Sequence, residues 1–116
     1  MGFAVSRLAN NLGVAAKAAG RLRLAATAYH LAEAAHPRDP RLVAALLHNR
    51  AGLLHARGRF ADAEPLARSG LALRERLVGR DHPDYGADLG ALAAIVDKLG
   101  RPEEAEAMYL QALALV

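Results

Sequence analysis

A chain of 116 residues suffices for one small domain with a modest core and is too short to enclose a deep catalytic pocket. It has no cysteine, which excludes disulfides, thiolate metal sites and thiol nucleophiles together, and its apolar content (53% hydrophobic, 4% aromatic) is the alanine- and leucine-rich palette of packed helices. The net charge of +3 is unevenly placed: residues 1–32 hold Arg7, Lys17, Arg21 and Arg23 without an acid, for +4, whereas the remainder holds 11 bases and 12 acids, for −1. Such a basic first third suits an acidic partner, and it is also what unevenly solvated charge looks like.

In chain order, the periodicity predicts six helices, over 4–19, 22–35, 40–57, 61–77, 83–99 and 102–115. The first opens with "LANNLGVAAKAAGR", in which Asn10 and Asn11 sit inside an apolar helix although asparagine competes for backbone hydrogen bonds there. Gly20 then stops the helix, and "GRLRLAATAYHLAEAA" begins the second. "HPRDP" leads to the third, and Gly58 closes that helix before "GRFADAEPLARSGLAL". Pro65 is acceptable there if the fourth helix starts near Ala61 and keeps the proline in its first turn, since deeper in a helix it costs about 3 kcal/mol. Gly79 in "VGRDHPD" stops the fourth helix, Pro83 and Asp84 open the fifth, and Gly100 with Pro102 separates the fifth from "GRPEEAEAMYLQALAL".

These segments are repeats. The glycines Gly20, Gly58 and Gly100 align without gaps at spacings of 38 and 42 residues. Small residues recur at Ala25, Ala63 and Ala105 and at Ala32, Gly70 and Ala112, and the position between them is Tyr29, Ala67 or Tyr109. The stretches before the glycines align too, as "ANNLGVAAKAAG", "LHNRAGLLHARG" and "LGALAAIVDKLG". The unit is a helical hairpin used three times, over about 4–37, 40–79 and 83–116, within one domain spanning 1–116. Small residues let the paired helices approach closely, and stacking of the pairs gives an all-α solenoid.

The pattern Gly13, Gly20, Ala25, Tyr29, Ala32, Pro37 resembles the tetratricopeptide repeat, and the stretches "GRFADAEPL" and "GRDHPD" are similar to the 42-residue repeats of kinesin light chain and its bacterial relatives. The resemblance spans nearly the whole chain. It departs from the pattern in a first linker four residues short, in Ala67 where an aromatic is usual, and in Ala91 where asparagine is usual. It implies a right-handed superhelix of three antiparallel hairpins whose first helices line a concave groove that binds an extended peptide. It carries the groove asparagine onto Asn11 and Asn49, nine residues before the closing glycines, with Asn10 and His48 one position earlier. A carboxamide can both donate to and accept from a peptide unit, and it is equally an ordinary solvated residue on a helix face. The same count places Arg7, Val14 and Lys17 of the first repeat, Gly52 and His55 of the second, and Asp97 and Lys98 of the third on that face. Such a lining suits a protein or peptide partner with some negative charge. A chaperone-tail carboxylate clamp is only half matched: Arg7, Asn11 and Asn49 agree in type, and Ala87 and Ala91 do not.

Other functions find little support. His48 and His55 lie about 10 Å apart along one helix, too far to share a metal unless Asp97 joins them, and no metal or other cofactor is expected. His82 has a structural place in its linker, and His30 and His36 belong on the outer face. There is no nucleophile elbow, phosphate loop or carboxylate pair, and Glu103, Glu104 and Glu106 suit the opening of the last helix, so the chain is read as a non-enzyme. Two phenylalanines and three tyrosines do not make a stacking surface for nucleic acid. No stretch approaches the roughly 18 apolar residues of a membrane span. The N-terminus lacks the apolar core of a signal peptide; basic, acid-poor and amphipathic, it could pass as an organellar transit peptide, yet as part of the first repeat it is expected to be retained. The expected setting is a bacterial cytoplasm. The alternative function is a scaffold that self-associates through an uncapped last helix exposing Tyr109, Leu113 and Val116, or a fragment of a longer array in a multidomain signalling protein.

Overall fold

The computed structural model describes residues 2–115, with side chains from Ala4 onward. Six helices follow one another: α1 (Gly2–Ala18), α2 (Leu22–Ala34), α3 (Pro40–Ala56), α4 (Phe60–Val78), α5 (Pro83–Lys98) and α6 (Pro102–Leu113). They pack as three antiparallel pairs, α1 with α2, α3 with α4 and α5 with α6, and the pairs stack in sequence to form a helical solenoid. The tight turns within the pairs are built alike. Gly20, Gly58 and Gly100 have φ of 77°, 74° and 82°, a region open to glycine. The N–H after each glycine reaches back to the carbonyl of Ala16, Leu54 or Val96, at 2.8, 2.8 and 3.3 Å. This is the Schellman closure, and it occurs three times in one register.

The longer linkers end in side-chain caps. Asp39 Oδ1 accepts from the Arg41 N–H at 3.0 Å to open α3, and His82 Nδ1 accepts from the Asp84 N–H at 3.0 Å to open α5. His82 therefore has the structural place expected of it. In the short first linker His36 has a positive φ of 53°, and in the second linker Gly79 has one of 82°. Pro65 corrects its expectation. Helix α4 begins at Phe60, so the proline lies in the second turn rather than the first. Its missing donor leaves the Ala61 carbonyl without a helical partner, and both residues stand on the solvent side of the helix, where water can serve that carbonyl.

Two cores alternate with the pairs. The first joins Ala9, Ala16, Ala25, Tyr29 and Ala32 of the first hairpin to Leu46 and Leu53 of α3. The second joins Ala51, Ala63 and Ala67 to Leu92, Ile95, Val96 and Ala105. A Cβ on Gly13 would lie 2.3 Å from the Tyr29 ring, so glycine there makes room for that ring between α1 and α2. Ser6 is fully buried and donates to the Ala32 carbonyl at 2.8 Å, which fixes the same pair. Among the described residues the backbones of α1 and α3, and of α3 and α5, approach each other closely, whereas those of α2, α4 and α6 do not, and side chains alone span from α4 to α6. The odd helices therefore form the inner wall of the curve, and the even helices form its outer side.

Candidate functional site

The inner wall is floored by small residues, because Ala51 and Gly52 of α3 and Ala91 of α5 leave space that larger side chains would fill. Two hollows of about 220 and 270 Å³ lie along it and share Lys17, His48 and Gly52. The first continues past His55 toward Asp88 and Ile95, and the second runs past Asn49 toward Val14 and Tyr29. A third, of about 350 Å³, lies toward the start of α1 between Arg7, Asn10, Asn11 and the Asp39–Ala45 end of α3.

Lys17 reaches from the last turn of α1 over α3. Its Nζ lies 3.3 Å from where a Cβ on Gly52 would stand, so the ammonium occupies the space the glycine leaves. It makes no hydrogen bond or ion pair among the described residues. A cation at the meeting point of two hollows, with no protein counter-ion, can receive an anionic group.

His48 is held from beneath. Its Nδ1 lies 3.1 Å from Asp88 Oδ1, and Asp88 Oδ2 accepts from Arg74 Nε at 3.0 Å. The Asp88 side chain is only 8% exposed. Burial alone would raise its pKa, but the hydrogen bonds from His48 and Arg74 outweigh burial and hold the carboxyl below the usual aspartate range. A neutral imidazole that donates through Nδ1 to this carboxylate leaves Nε2 facing outward as an acceptor, and protonation makes both nitrogens donors. Farther along α3, the His55 ring meets Phe60 edge to face at 5.3 Å between centroids.

The two asparagines nine residues before the glycines differ in setting. Asn11 is exposed and lines the third hollow. Asn49 donates through Nδ2 to Asn10 Oδ1 at 3.0 Å, which ties α3 to α1. Asn10 is 6% exposed, so its carbonyl serves the inter-helix bond, while Asn49 retains its own carbonyl and a second amide hydrogen beside the second hollow. Of the sequence-derived residues, Arg7, Asn10 and Asn11 gather at one hollow, and Val14, Lys17, His48, Asn49, Gly52 and His55 line the other two. Asp97 and Lys98 are exposed near the end of α5 and line none of the three. Among the described residues no three of His, Asp and Glu gather as a metal site, and the acid beside His48 is Asp88.

Sequence reasoning missed Asp88 and Arg74. The signal was present: in the repeat register Asp88 stands where the first two repeats have Leu8 and Leu46, and an acid in a leucine position marks a buried carboxylate with a partner.

A family model described as tetratricopeptide repeat matches residues 42–116. No curated protein matches the chain by sequence.

Proposed function

The chain belongs to the tetratricopeptide repeat family, whose repeats generally mediate contacts between proteins, and from that premise we propose that its inner groove binds an extended, acid-bearing segment of a partner protein. The observation that carries this reading is the Lys17 ammonium, without a counter-ion, over Gly52 where two hollows meet. A carboxylate of the segment pairs with Lys17. Asn49 offers its carbonyl and remaining amide hydrogen to a peptide unit, and the small floor residues let the backbone approach closely. On this reading the chain is a non-enzymatic interaction module of a bacterial cytoplasm, of the kinesin-light-chain-like repeat type that "GRFADAEPL" and "GRDHPD" resemble. Among the described residues no helix is long and apolar enough to cross a membrane.

The test is selection from a displayed library of random peptides by the wild-type chain and by a Lys17→Ala/Asn49→Ala variant of equal helicity. The expected pool from the wild type is enriched in Asp and Glu and binds the variant at least about tenfold more weakly. A pool without acid enrichment, or one the variant binds equally well, contradicts the reading.

A further inference from the structure

The joint between α4 and α5 is a template for a contact that the two ends of the described chain are matched to make. The register is set by Gly58 and Gly100, 42 residues apart, and by Gly20 and Gly100, 80 apart. It carries α4 onto α6 and α5 onto α1. Leu71 of α4 packs against the second core, to which Leu92 of α5 belongs with 0% exposure. Their counterparts are Leu113 and Leu12, at 64% and 55% exposure. Arg68 bridges the joint to Glu104 at 2.9 Å, and the counterparts of that polar pair are Leu110 and Leu24, at 60% and 53% exposure. Arg101 crosses the joint to Glu64, and its hydrogen bond helps hold that carboxyl below the usual range. The counterparts here are an acid and a base again, Glu106 and Arg21, both exposed and without an ion pair among the described residues.

At these three positions the α6 face thus has its complement on the α1–α2 face: leucine meets leucine at two, and acid meets base at the third. Overall charge agrees, since residues 1–32 hold four bases and no acid, whereas α6 holds Glu103, Glu104 and Glu106 and no base. We infer that the α6 face of one copy docks on the α1–α2 face of a second copy and continues the solenoid head to tail. The pairing is heterologous, so the same step repeats and the product is an open helical filament rather than a closed dimer. This inference stands apart from the groove reading, because Leu12, Leu24, Leu110 and Leu113 line none of the three hollows described along the groove. Of the other two residues of the expected self-association surface, Tyr109 is 37% exposed and Val116 lies outside the described residues.

Sedimentation equilibrium of the full chain, from micromolar to millimolar, tests this with Leu12→Glu and Leu113→Glu. Wild-type mean mass is expected to rise with concentration and to pass the dimer value without a plateau. Each variant alone stays monomeric, and an equimolar mixture forms a dimer and stops, because one variant keeps only the α6 face and the other only the α1 face. Both side chains are exposed in the monomer, so the fold should persist, and circular dichroism checks helicity. Should either variant unfold, Glu106→Arg gives the same readout: association falls at least about fivefold and is restored on mixing with Arg21→Glu copies. A wild-type mass fixed at the monomer, a dimer that survives in either variant alone, or a mixture that stays monomeric overturns the inference.

Discussion

The two joints of the solenoid differ in packing, since α4 meets α5 more extensively than α2 meets α3, and they differ in chemistry. Between the first and second hairpins, Tyr29, Leu46 and Leu53 pack an apolar seam, the neutral amide bond from Asn49 to Asn10 closes it on the inner wall, and Glu33 pairs with Arg50 at 3.2 Å. Between the second and third, the inner wall is closed by a buried carboxylate clasped between His48 and Arg74, and further ion pairs run from Arg68 and Glu64 to Glu104 and Arg101. A repeat fold asks each joint for close approach and satisfied polar groups, and it accepts either kind of polar closure. The difference lies in response: a neutral amide pair is indifferent to pH, whereas a carboxylate clasp is not.

The largest expected effect comes from breaking the charged closure. Asp88→Ala leaves Arg74, whose side chain is 15% exposed, without its partner, and should lower stability by about 3 kcal/mol in urea unfolding. The double variant Arg74→Leu/Asp88→Leu should recover most of that loss, because Leu46 fills the matching register of the first joint. If the double variant is as unstable as the single, the clasp contributes more than charge compensation.

Next in size is a steric test of the first hairpin. Gly13→Ala drives a methyl group to within 2.3 Å of the Tyr29 ring and should cost about 2 kcal/mol. The aligned position in the second hairpin is Ala51, which faces Ala67 instead of a tyrosine, so Ala51→Gly should bring no gain there. Smaller again is Asn10→Ala, which removes the amide bond to Asn49 and should cost about 1 kcal/mol, equally at pH 7 and pH 5 by thermal unfolding.

The finest distinction is the acid limb. Because the Asp88 carboxyl is held below the usual aspartate range when folded, its contribution is fully present above that range and disappears as pH falls through it toward the folded value. Hydrogen exchange should therefore show α5 and α6 loosening on acidification while α1 and α2 keep their protection. In Asp88→Asn the difference should shrink to what the Glu64–Arg101 pair contributes, and equal loosening in the wild type would show that the clasp does not govern the second joint.

Much of this was legible in the sequence. The apolar period and the glycines placed all six helices to within about two residues at each end, because hairpin closure by a left-handed glycine is a local event. Pro65 was harder to place, since an exposed second-turn proline is tolerated where a buried one is not. The paired change of Gly13 to Ala51 and Tyr29 to Ala67 could be seen as separate departures, but its sense lies in one contact between two helices. The His48–Asp88–Arg74 clasp joins residues from α3, α5 and α4, so its trace in the sequence is Asp88 standing where the second repeat has Leu46. Counting from the glycines also placed Asn11 and Asn49 as equivalents. Neighbouring inner helices are offset by about one position, so it is Asn10 that meets Asn49.

The most direct test of the groove reading is an amide chemical-shift titration of the isotope-labelled chain. Two pools of short random peptides are compared, one rich in Asp and Glu and the other with Asn and Gln in their place. The account predicts shifts at Lys17, His48, Asn49 and Gly52 with the acidic pool and at most weak ones with the neutral pool. Shifts confined to α2 and α4 on the outer side, or equal responses to both pools, would contradict it.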